Sequence, residues 1–329
     1  MSHAFSPPLP DLESLRTGGK RAVARALAAV ETARGTCELV ALLDAATRAA
    51  RAHVLGLTGP PGVGKSTLTN ALVQRARKVG QTVAVLAVDP SSRRTGGALL
   101  GDRARIQTDP EDRGIFVRSM AARDRLGGLS DDAIAAVVLL RAVYDLVIVE
   151  TVGVGQSEAD ISLVADTVVL CIQPASGDSL QFMKAGVMEL PDIIVVTKAD
   201  MADVARRAAS EVAGAISLSG GDDHAGWKVP VIRLSATTGE GLEAFDEAVA
   251  AHLSHVAHDA HCSQAGAEDV RAARRLEQEG KWVEEAIKVR FGTHGLGLAR
   301  KIVLAEGLEQ CGPFAREAEL ARRLTSGQY

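Results

Sequence analysis

The segment from Gly59 to Ser66 reads Gly-Pro-Pro-Gly-Val-Gly-Lys-Ser and constrains the fold more than any other part of the chain. An apolar run at 53–58 precedes it and predicts a buried strand, and a helical stretch from Lys65 to about residue 79 follows it. A glycine-rich turn between strand and helix points backbone N–H groups inward, and the helix adds its positive end. This arrangement predicts a phosphate-binding loop, in which Lys65 reaches the β- and γ-phosphates and the Ser66 hydroxyl ligates Mg²⁺. The predicted phosphate-binding residues are Gly59, Pro60, Pro61, Gly62, Val63, Gly64, Lys65, Ser66 and Thr67.

Two later loops favour guanine as the base. The first, at 197–200, follows an apolar strand at 192–196 and reads Thr-Lys-Ala-Asp, which resembles the Asn-Lys-x-Asp guanine motif. Its Asp200 can accept hydrogen bonds from guanine N1–H and the exocyclic amine, a donor pair that adenine lacks. Thr197 stands in place of the Asn of the motif, so it remains open which group makes the hydrogen bond of that Asn. The second loop begins at Ser235, after a strand predicted at 231–234, and resembles the Ser-Ala-x loop whose backbone N–H meets guanine O6. The predicted base-binding residues are Thr197, Lys198, Asp200, Ser235, Ala236 and Thr237.

A third strand, at 144–151, carries an acid near its end and a glycine shortly after it. Glu150 can hold Mg²⁺ through water, and the Gly153 N–H can touch the γ-phosphate. Asp89 closes the strand at 82–90 on the same edge of the sheet. Asp102 lies in the 90–110 loop, whose glycines, serines and charges are typical of a segment that orders around Mg²⁺ and phosphate. The predicted catalytic residues are Lys65, Glu150 and Gly153, and the predicted metal-site residues are Ser66, Asp89, Asp102 and Glu150.

No residue for positioning the attacking water is evident beside Gly153. In Ras-like proteins a glutamine follows this glycine directly, whereas here Val154 follows it and Gln156 comes three residues after it. We therefore expect slow intrinsic hydrolysis that a partner accelerates.

The stretch at 150–158, Glu-Thr-Val-Gly-Val-Gly-Gln-Ser-Glu, resembles the switch II segment of the MeaB/ArgK family. Segments at 18–26, 89–92, 101–103, 116–119 and 126–129 agree, and the similarity runs from about residue 12 to the C-terminus. Glu150, where most small GTPases carry Asp, is typical of the branch that includes signal-recognition and metallochaperone proteins.

The resemblance implies a P-loop G domain with a mostly parallel sheet, flanked by N-terminal and C-terminal helical extensions. It implies GTP hydrolysis with Mg²⁺, and a chaperone that gates cofactor loading and protects or reactivates adenosylcobalamin-dependent methylmalonyl-CoA mutase. It also implies a homodimer formed through the C-terminal helices. A third switch, similar in position to the 173–184 loop, would couple the nucleotide to the mutase through Asp178, Gln181 and Lys184.

Composition excludes several other classes of function. The net charge of −4 and the pI near 6.1 argue against a nucleic-acid partner. No uncharged apolar run approaches about 18 residues, so we expect no membrane span. The four cysteines show no CxxC spacing and the N-terminus lacks a signal-peptide pattern, which favours reduced thiols in the cytoplasm.

Alternating strand and helix patterns over 52–256 predict a G domain with right-handed crossovers and a mostly parallel sheet. Residues 1–51 are expected to form an N-terminal extension with two amphipathic helices at 12–50, with Thr36 as a helix cap. Residues 257–329 are expected to form a helical arm. An apolar stripe on that arm can pack either on the same chain or on a second copy. Its members are Ala273, Leu276, Val283, Ile287 and Phe291.

Four histidines, at 252, 255, 258 and 261, recur at three-residue intervals. Metal pairs on helices favour an i, i+4 spacing, which does not occur here. The run therefore favours a surface linker over a metal site. The alternative function, a GTP-dependent metal-insertion metallochaperone, would need clustered thiolate or imidazole ligands, which only this run offers. A kinase using the same phosphate loop is a weaker alternative.

Overall fold

The computed structural model describes residues 9–90, 109, 111–122, 129–151, 160–174, 191–218, 226–258 and 267–327. At positions 89, 90, 122, 257, 258 and 267–273 it describes the backbone alone.

A seven-stranded sheet forms the centre of the fold, in the order β3-β2-β4-β1-β5-β6-β7. Every neighbouring pair is parallel. The strands are β1 (His53–Thr58), β2 (Val83–Pro90), β3 (Ile115–Ala122), β4 (Leu146–Thr151), β5 (Thr167–Ile172), β6 (Ile193–Val196) and β7 (Val231–Arg233). Parallel strands that are covered on both faces read as continuous apolar runs, and β5 and β6 are buried at every position. The predicted α/β fold with a mostly parallel sheet is confirmed.

Helices precede, connect and follow the strands. Their bounds are α1 (Leu12–Thr17), α2 (Gly19–Thr32), α3 (Cys37–Arg48), α4 (Lys65–Lys78), α5 (Asp131–Val143), α6 (Ala202–Leu218), α7 (Leu242–His258), α8 (Ala267–Glu306) and α9 (Pro313–Ser326). None of the helices in the described part of the chain is both long enough and apolar enough to cross a bilayer.

Contacts divide the chain into two compact units. The helical unit comprises residues 1–52, 134–144 and 279–329, and the sheet unit comprises residues 53–133 and 145–278. The first and third of the three predicted domains thus contribute to one unit, and the predicted domain division itself stays a prediction.

The core of the sheet unit lies between the sheet and the helices that pack on it. Leu57 on β1, Leu68 on α4 and Phe245 on α7 are almost wholly buried in one apolar cluster. Burying apolar surface stabilises the fold by about 25 cal/mol per Å². This packing fixes α4 against the sheet, and therefore fixes the loop that joins α4 to β1.

Three aspartates tie neighbouring strands together at the amino ends of the sheet. Asp145, Asp166 and Asp192 each precede a strand, and each accepts a backbone N–H from or beside the adjacent strand at 2.7–2.8 Å. The donors are the N–H groups of residues 82, 54 and 168. A carboxylate at this position accepts a hydrogen bond from a backbone N–H group that has no partner in the hydrogen bonds between strands, and so helps to fix the register of the strands.

The helical unit has a specific joint between α3 and α9. The buried Asp44 carboxylate accepts the N–H groups of Phe314 (3.0 Å) and Ala315 (3.2 Å), and so caps α9. A Cβ at Gly312 would lie 2.3 Å from that carboxylate carbon, so glycine is required there. Burial raises the pKa of Asp44, while the two backbone hydrogen bonds oppose this rise.

The N-terminal extension contains three helices where the sequence predicted two. The helical conformation is interrupted between α1 and α2 at Gly18 and Gly19, and Gly19 has φ 63°. A Cβ at Gly18 would lie 2.5 Å from the Ser14 carbonyl oxygen, so this close turn needs glycine. Thr36 caps α3 as predicted, through a 3.4 Å contact from the Leu39 N–H.

The predicted stripe on the C-terminal arm is buried within this chain only in part. Val283 and Ile287 are buried, but Leu276 is exposed. Near Leu276 the buried face is set by Gln278, whose amide donates to the Ser162 and Ala165 carbonyls at 2.8 Å each. Positions two apart on a helix point to opposite sides, so Leu276 faces away. The helix also kinks at Gly292, where φ is 71°.

Candidate functional site

The loop between β1 and α4 curls through three glycines with positive φ, Gly59 (136°), Gly62 (76°) and Gly64 (102°). Gly59 is also constrained by space, since a Cβ there would lie 2.3 Å from the Cys171 carbonyl oxygen on β5. The α4 helix begins at Lys65, directly after the loop. The loop therefore presents its backbone N–H groups and the positive end of α4 to one small region.

Lys65 is buried within the curve of this loop. Its Nζ donates to the carbonyl oxygens of Gly59 (2.7 Å) and Pro60 (3.0 Å). An ammonium held by two carbonyls near a helix N-terminus creates a positive site, and phosphate oxygens are suitable ligands for it.

The neighbouring strand β4 brings Glu150 to the first turn of α4. Ser66 Oγ donates to Glu150 Oε1 at 2.8 Å, and Thr69 Oγ1 donates to Oε2 at 3.1 Å. Strand β4 lies directly beside β1, with Glu150 opposite Leu57 in the register. The end of β4 is thus held against the phosphate loop.

The oxygen set at this point fits a magnesium ion. A serine hydroxyl and a buried carboxylate are hard oxygen donors, which Mg²⁺ prefers. The backbone of Asp89 lies on β2, two residues beyond the position that pairs with Glu150. Since β2 and β4 are parallel neighbours, Asp89 follows at the same edge of the sheet.

The Cys171 thiol lies close to these charges and stays neutral. Burial raises its pKa to about 12, with the Lys65 charge opposing this rise and the Glu150 charge adding to it. A thiol with such a pKa is neither a nucleophile nor a ready metal ligand. The buried Cys171 is therefore a packing residue.

Thr197 takes a place that the guanine motif normally gives to Asn. Its hydroxyl lies 2.7 Å from the Val63 carbonyl oxygen of the phosphate loop and 3.1 Å from the Ile172 carbonyl oxygen. The Thr197 N–H also donates to Ile172 at 2.8 Å. The threonine thus ties the 197–200 loop to the phosphate loop and to β5.

The two loops predicted to bind the base are adjacent. The Ala199 N–H donates to the Leu234 carbonyl at 3.2 Å, which joins the 197–200 turn to the loop after β7. Asp200 lies exposed in a 3₁₀ turn, and its carboxylate is accessible to a ligand. Ser235 is buried and stabilises its own turn, since its N–H donates to the Glu240 carbonyl at 2.9 Å. Ala236 is half-buried and Thr237 is exposed.

Lys198 adopts a left-handed conformation (φ 54°) before Asp200. Its Nζ donates to Gln173 Oε1 at 2.9 Å, which extends the lysine stem along the loop after β5. A non-glycine residue at positive φ is uncommon and typical of a functional turn.

Several predicted residues lie outside the described part of the chain. They are Gly153, Asp102, Asp178, Gln181 and Lys184, together with the side chain of Asp89. Among the described residues, the structure brings together the phosphate loop, Glu150 and the two loops predicted to bind the base.

The histidine run at 252–261 is not a surface linker where the structure describes it. His252 lies on α7 and is 2% exposed. Its Nδ1 is 2.9 Å from Thr167 Oγ1, and its Nε2 is 3.0 Å from Asp192 Oδ1. Both ring nitrogens are thus engaged at the amino end of the sheet. Among the side chains that the structure describes, no three or more His, Cys, Asp or Glu residues form a metal-binding group.

Sequence reasoning missed Thr69 as a residue beside the site, and it placed Gln173 in the 173–184 loop without its contact to Lys198. Thr69 lies one helical turn beyond Ser66, so its spacing from the phosphate-loop serine was a usable signal. Gln173 reaches Lys198 because it follows β5, the neighbour of β6 in the sheet, and no local pattern reveals that contact.

Comparison with known families gives a match over most of the chain. The model of the family described as methylmalonyl-CoA mutase-associated GTPase MeaB matches residues 23–294. A protein of Pyrococcus horikoshii named as a GTPase is 42% identical over 276 residues, which cover 83% of this chain and 84% of that protein. The mitochondrial methylmalonic aciduria type A homolog of Mus musculus is 37% identical over 248 residues, which cover 73% of this chain and 57% of that protein.

A solved structure agrees with this match. The crystal structure of an LAO/AO transport system kinase aligns with a TM-score of 0.64 and 26% identity, covering 95% of this chain and 96% of that one. The family match and the site with its phosphate loop lie in the same part of the sequence. The chain therefore belongs to the MeaB family of methylmalonyl-CoA mutase-associated GTPases and is itself a GTPase.

Proposed function

We propose that this GTPase is a chaperone of adenosylcobalamin-dependent methylmalonyl-CoA mutase, which gates cofactor loading and protects or reactivates the mutase. The observation that carries the proposal is the family match over 23–294, because the family is described by its association with that mutase. The similarity to the methylmalonic aciduria type A homolog supports it. The engagement of His252 with Thr167 and Asp192 weighs against the metal-insertion alternative, since it occupies a candidate ligand.

In this proposal GTP binds with its phosphates in the loop at 59–66. Lys65 exchanges its carbonyl partners for phosphate oxygens, since a charge-assisted pair is the stronger hydrogen bond. Ser66 and Glu150 would hold Mg²⁺, and Asp89 follows on the same edge of the sheet. Asp102 is proposed as a further acid of the metal site. The ion supplies neutralisation of the negative charge that develops on the phosphates during hydrolysis.

Guanine is recognised by Asp200 and by the loop after β7. The exposed Asp200 carboxylate accepts both donors of the guanine edge, and the Lys198 stem covers the base plane. The backbone at 235–237 approaches guanine O6. The hydrogen bond from the Thr197 hydroxyl to the Val63 carbonyl links the 197–200 loop to the phosphate loop, and so couples base recognition to phosphate binding.

Hydrolysis is slow in the isolated chain and faster when the mutase is bound. The reason is that Val154 stands where Ras-like proteins carry a water-positioning glutamine. Gly153 and the predicted third-switch residues Asp178, Gln181 and Lys184 respond to the γ-phosphate and to the partner. The free cysteines among the described residues fit a cytoplasmic location.

The proposal includes a homodimer formed through the C-terminal helices. Val289 and Leu304 on α8 are 59% and 76% exposed. Leu304 lines a cavity of about 320 Å³ between α8 and α9, whose walls include Val283, Ile287 and Leu320. An exposed apolar side chain such as Leu304, beside a cavity with apolar walls, is typical of a protein–protein contact.

The mutase role is tested by GTP turnover with and without an adenosylcobalamin-dependent methylmalonyl-CoA mutase. We expect stimulation in the wild type, and nearly unchanged basal turnover with reduced stimulation in Asp178→Ala and Lys184→Ala. Because coupling between binding sites is reciprocal, GDP and a non-hydrolysable GTP analogue should give different affinities for the mutase. Unchanged turnover together with equal affinities would remove the mutase proposal.

The dimer is tested by analytical ultracentrifugation of Leu304→Asp. We expect this variant to shift the protein toward monomer, because a charge at an apolar contact carries a desolvation penalty. Val79→Asp is the matched control, since Val79 is 74% exposed at the end of α4. Equal sedimentation of both variants and the wild type would contradict the proposed interface.

A further inference from the structure

Thr69 is a fully buried threonine whose hydroxyl faces the site acid. It is 0% exposed on α4, and its Oγ1 donates to Glu150 Oε2 at 3.1 Å. The other carboxylate oxygen, Oε1, accepts from Ser66 Oγ at 2.8 Å. Each oxygen of the carboxylate thus accepts a hydrogen bond from a hydroxyl group of α4.

Helix geometry explains why two hydroxyls reach one carboxylate. Residues three apart on an α-helix lie on the same face and about 4.5 Å apart along the axis, at a rise of about 1.5 Å per residue. Ser66 and Thr69 have this spacing. A carboxylate that lies across one turn of the helix can therefore contact both.

The Thr69 hydroxyl restrains and stabilises the Glu150 carboxylate, which is both flexible and buried. Glutamate has one more rotatable bond than aspartate, and its ordering removes more rotamer freedom. Glu150 is also 7% exposed, so its charge is largely removed from water and depends on hydrogen bonds. A donor at Oε2 restrains the rotation of the carboxylate and supports its charge.

We propose that Thr69 is a positioning residue for the magnesium site of this GTPase. By holding Oε2 on α4, Thr69 fixes Oε1 toward Ser66, where the ion is held. This inference rests on the proposed Mg²⁺ role of Ser66 and Glu150. Thr69 has no role in holding phosphate or base, so its loss should change the dependence on Mg²⁺ and spare the metal-free affinity for nucleotide.

The experiment measures GDP affinity by calorimetry over a series of Mg²⁺ concentrations and in EDTA. Thr69→Val removes the hydroxyl and keeps the shape, and Thr69→Ser restores a hydroxyl. Thr167→Val is the matched control, because Thr167 is equally buried and its hydroxyl contacts His252 at the opposite edge of the sheet. Thermal unfolding of all variants shows whether each is folded, and Thr69→Ala replaces Thr69→Val if the latter is not.

We expect Thr69→Val to bind GDP like the wild type in EDTA and to need about five- to tenfold more Mg²⁺ for the same gain in affinity, the loss expected for about one hydrogen bond. Thr69→Ser should recover most of this loss, and Thr167→Val should keep the wild-type Mg²⁺ dependence. A wild-type Mg²⁺ dependence in Thr69→Val would overturn the inference, as would an equal loss of GDP affinity with and without Mg²⁺. If wild-type GDP affinity does not respond to Mg²⁺ at all, the proposed metal site fails first and the role of Thr69 fails with it.

Discussion

The sheet unit and the helical unit fix their polar groups in different ways. In the sheet unit, Lys65, Glu150 and Thr197 follow or end buried parallel strands, so the register of the sheet carries them to one edge. In the helical unit, Asp44 meets the N-terminus of α9 from a position 270 residues away. The first kind of placement follows from local spacing, and the second depends on which helices pack together.

This difference has a functional consequence. Groups at the carboxyl edge of a parallel sheet face an open crevice and are available to a ligand. The Asp44 carboxylate faces backbone donors of its own chain, and a phenyl–indole contact between Trp282 and Phe314 (4.9 Å between ring centroids) packs in the same unit. We therefore expect substitutions in the sheet site to change nucleotide binding, and substitutions at the α3–α9 joint to change stability.

The largest expected effect is that of Lys65→Ala on nucleotide binding. Removing a charge-assisted contact to phosphate should lower GDP affinity by about 3 kcal/mol, or about 100-fold. Calorimetry measures the affinity, and circular dichroism should show an unchanged helix content. Lys78→Ala, an exposed lysine on the same helix, is the control and should bind as the wild type does. Equal affinities of the two variants would place the phosphates elsewhere.

Asp44→Ala should act on stability instead. The N–H groups of Phe314 and Ala315 lose their acceptor, which should lower the free energy of unfolding by about 1–3 kcal/mol. Urea titration measures this change, and calorimetry should give an unchanged GDP affinity. A loss of GDP affinity comparable to that of Lys65→Ala would break the division between the two units.

Thr197→Val sharpens the comparison inside the sheet unit. The substitution removes the hydroxyl that joins the 197–200 loop to Val63 and should weaken GDP binding by about 1 kcal/mol. Thr47→Val in the helical unit is the control, because the half-buried Thr47 hydroxyl donates to the Leu43 carbonyl of its own helix. GDP titrations in which both variants bind like the wild type would show that the link to the phosphate loop has no role in binding.

The smallest expected effect is a pH dependence carried by Asp44. Burial raises its pKa above 3.8, so the folded chain binds this proton more tightly than the unfolded chain. That contribution to stability is present at low pH and is lost as pH rises through the folded pKa. Asp44→Asn does not titrate, so its stability relative to the wild type should improve between about pH 4 and pH 7. Urea titrations at both values check this, and a relative stability that falls with pH would contradict the sign.

The sequence predicted the site where the chemistry depends on the backbone and on short spacing. Gly59, Gly62 and Gly64 are readable because a tight loop needs positive φ, and the strand before them because buried parallel strands are continuously apolar. The α/β fold followed from the same alternation of strands and helices.

Contacts between distant segments were not readable in the same way. The cap from Asp44, the amide of Gln278 that sets the buried face of α8, and the contact of His252 with Asp192 each depend on tertiary packing. A buried carboxylate, amide or imidazole has the same local pattern as an exposed one. For this reason the prediction of a surface linker was wrong at His252, and the sequence left open which part of the helical stripe packs on the same chain.

The central claim is that the edge of the sheet unit is a guanine-nucleotide site read by Asp200, and nucleotide competition tests it most directly. Displacement of a fluorescent GDP analogue by GDP, ADP and xanthosine diphosphate would be measured for the wild type and for Asp200→Asn. We predict that the wild type prefers GDP over ADP by about 2–4 kcal/mol, since a donor pair is otherwise left unmet. Asp200→Asn should lose GDP affinity and gain affinity for xanthosine diphosphate. Equal displacement by ADP and GDP in the wild type, or an unchanged preference in Asp200→Asn, would contradict the claim.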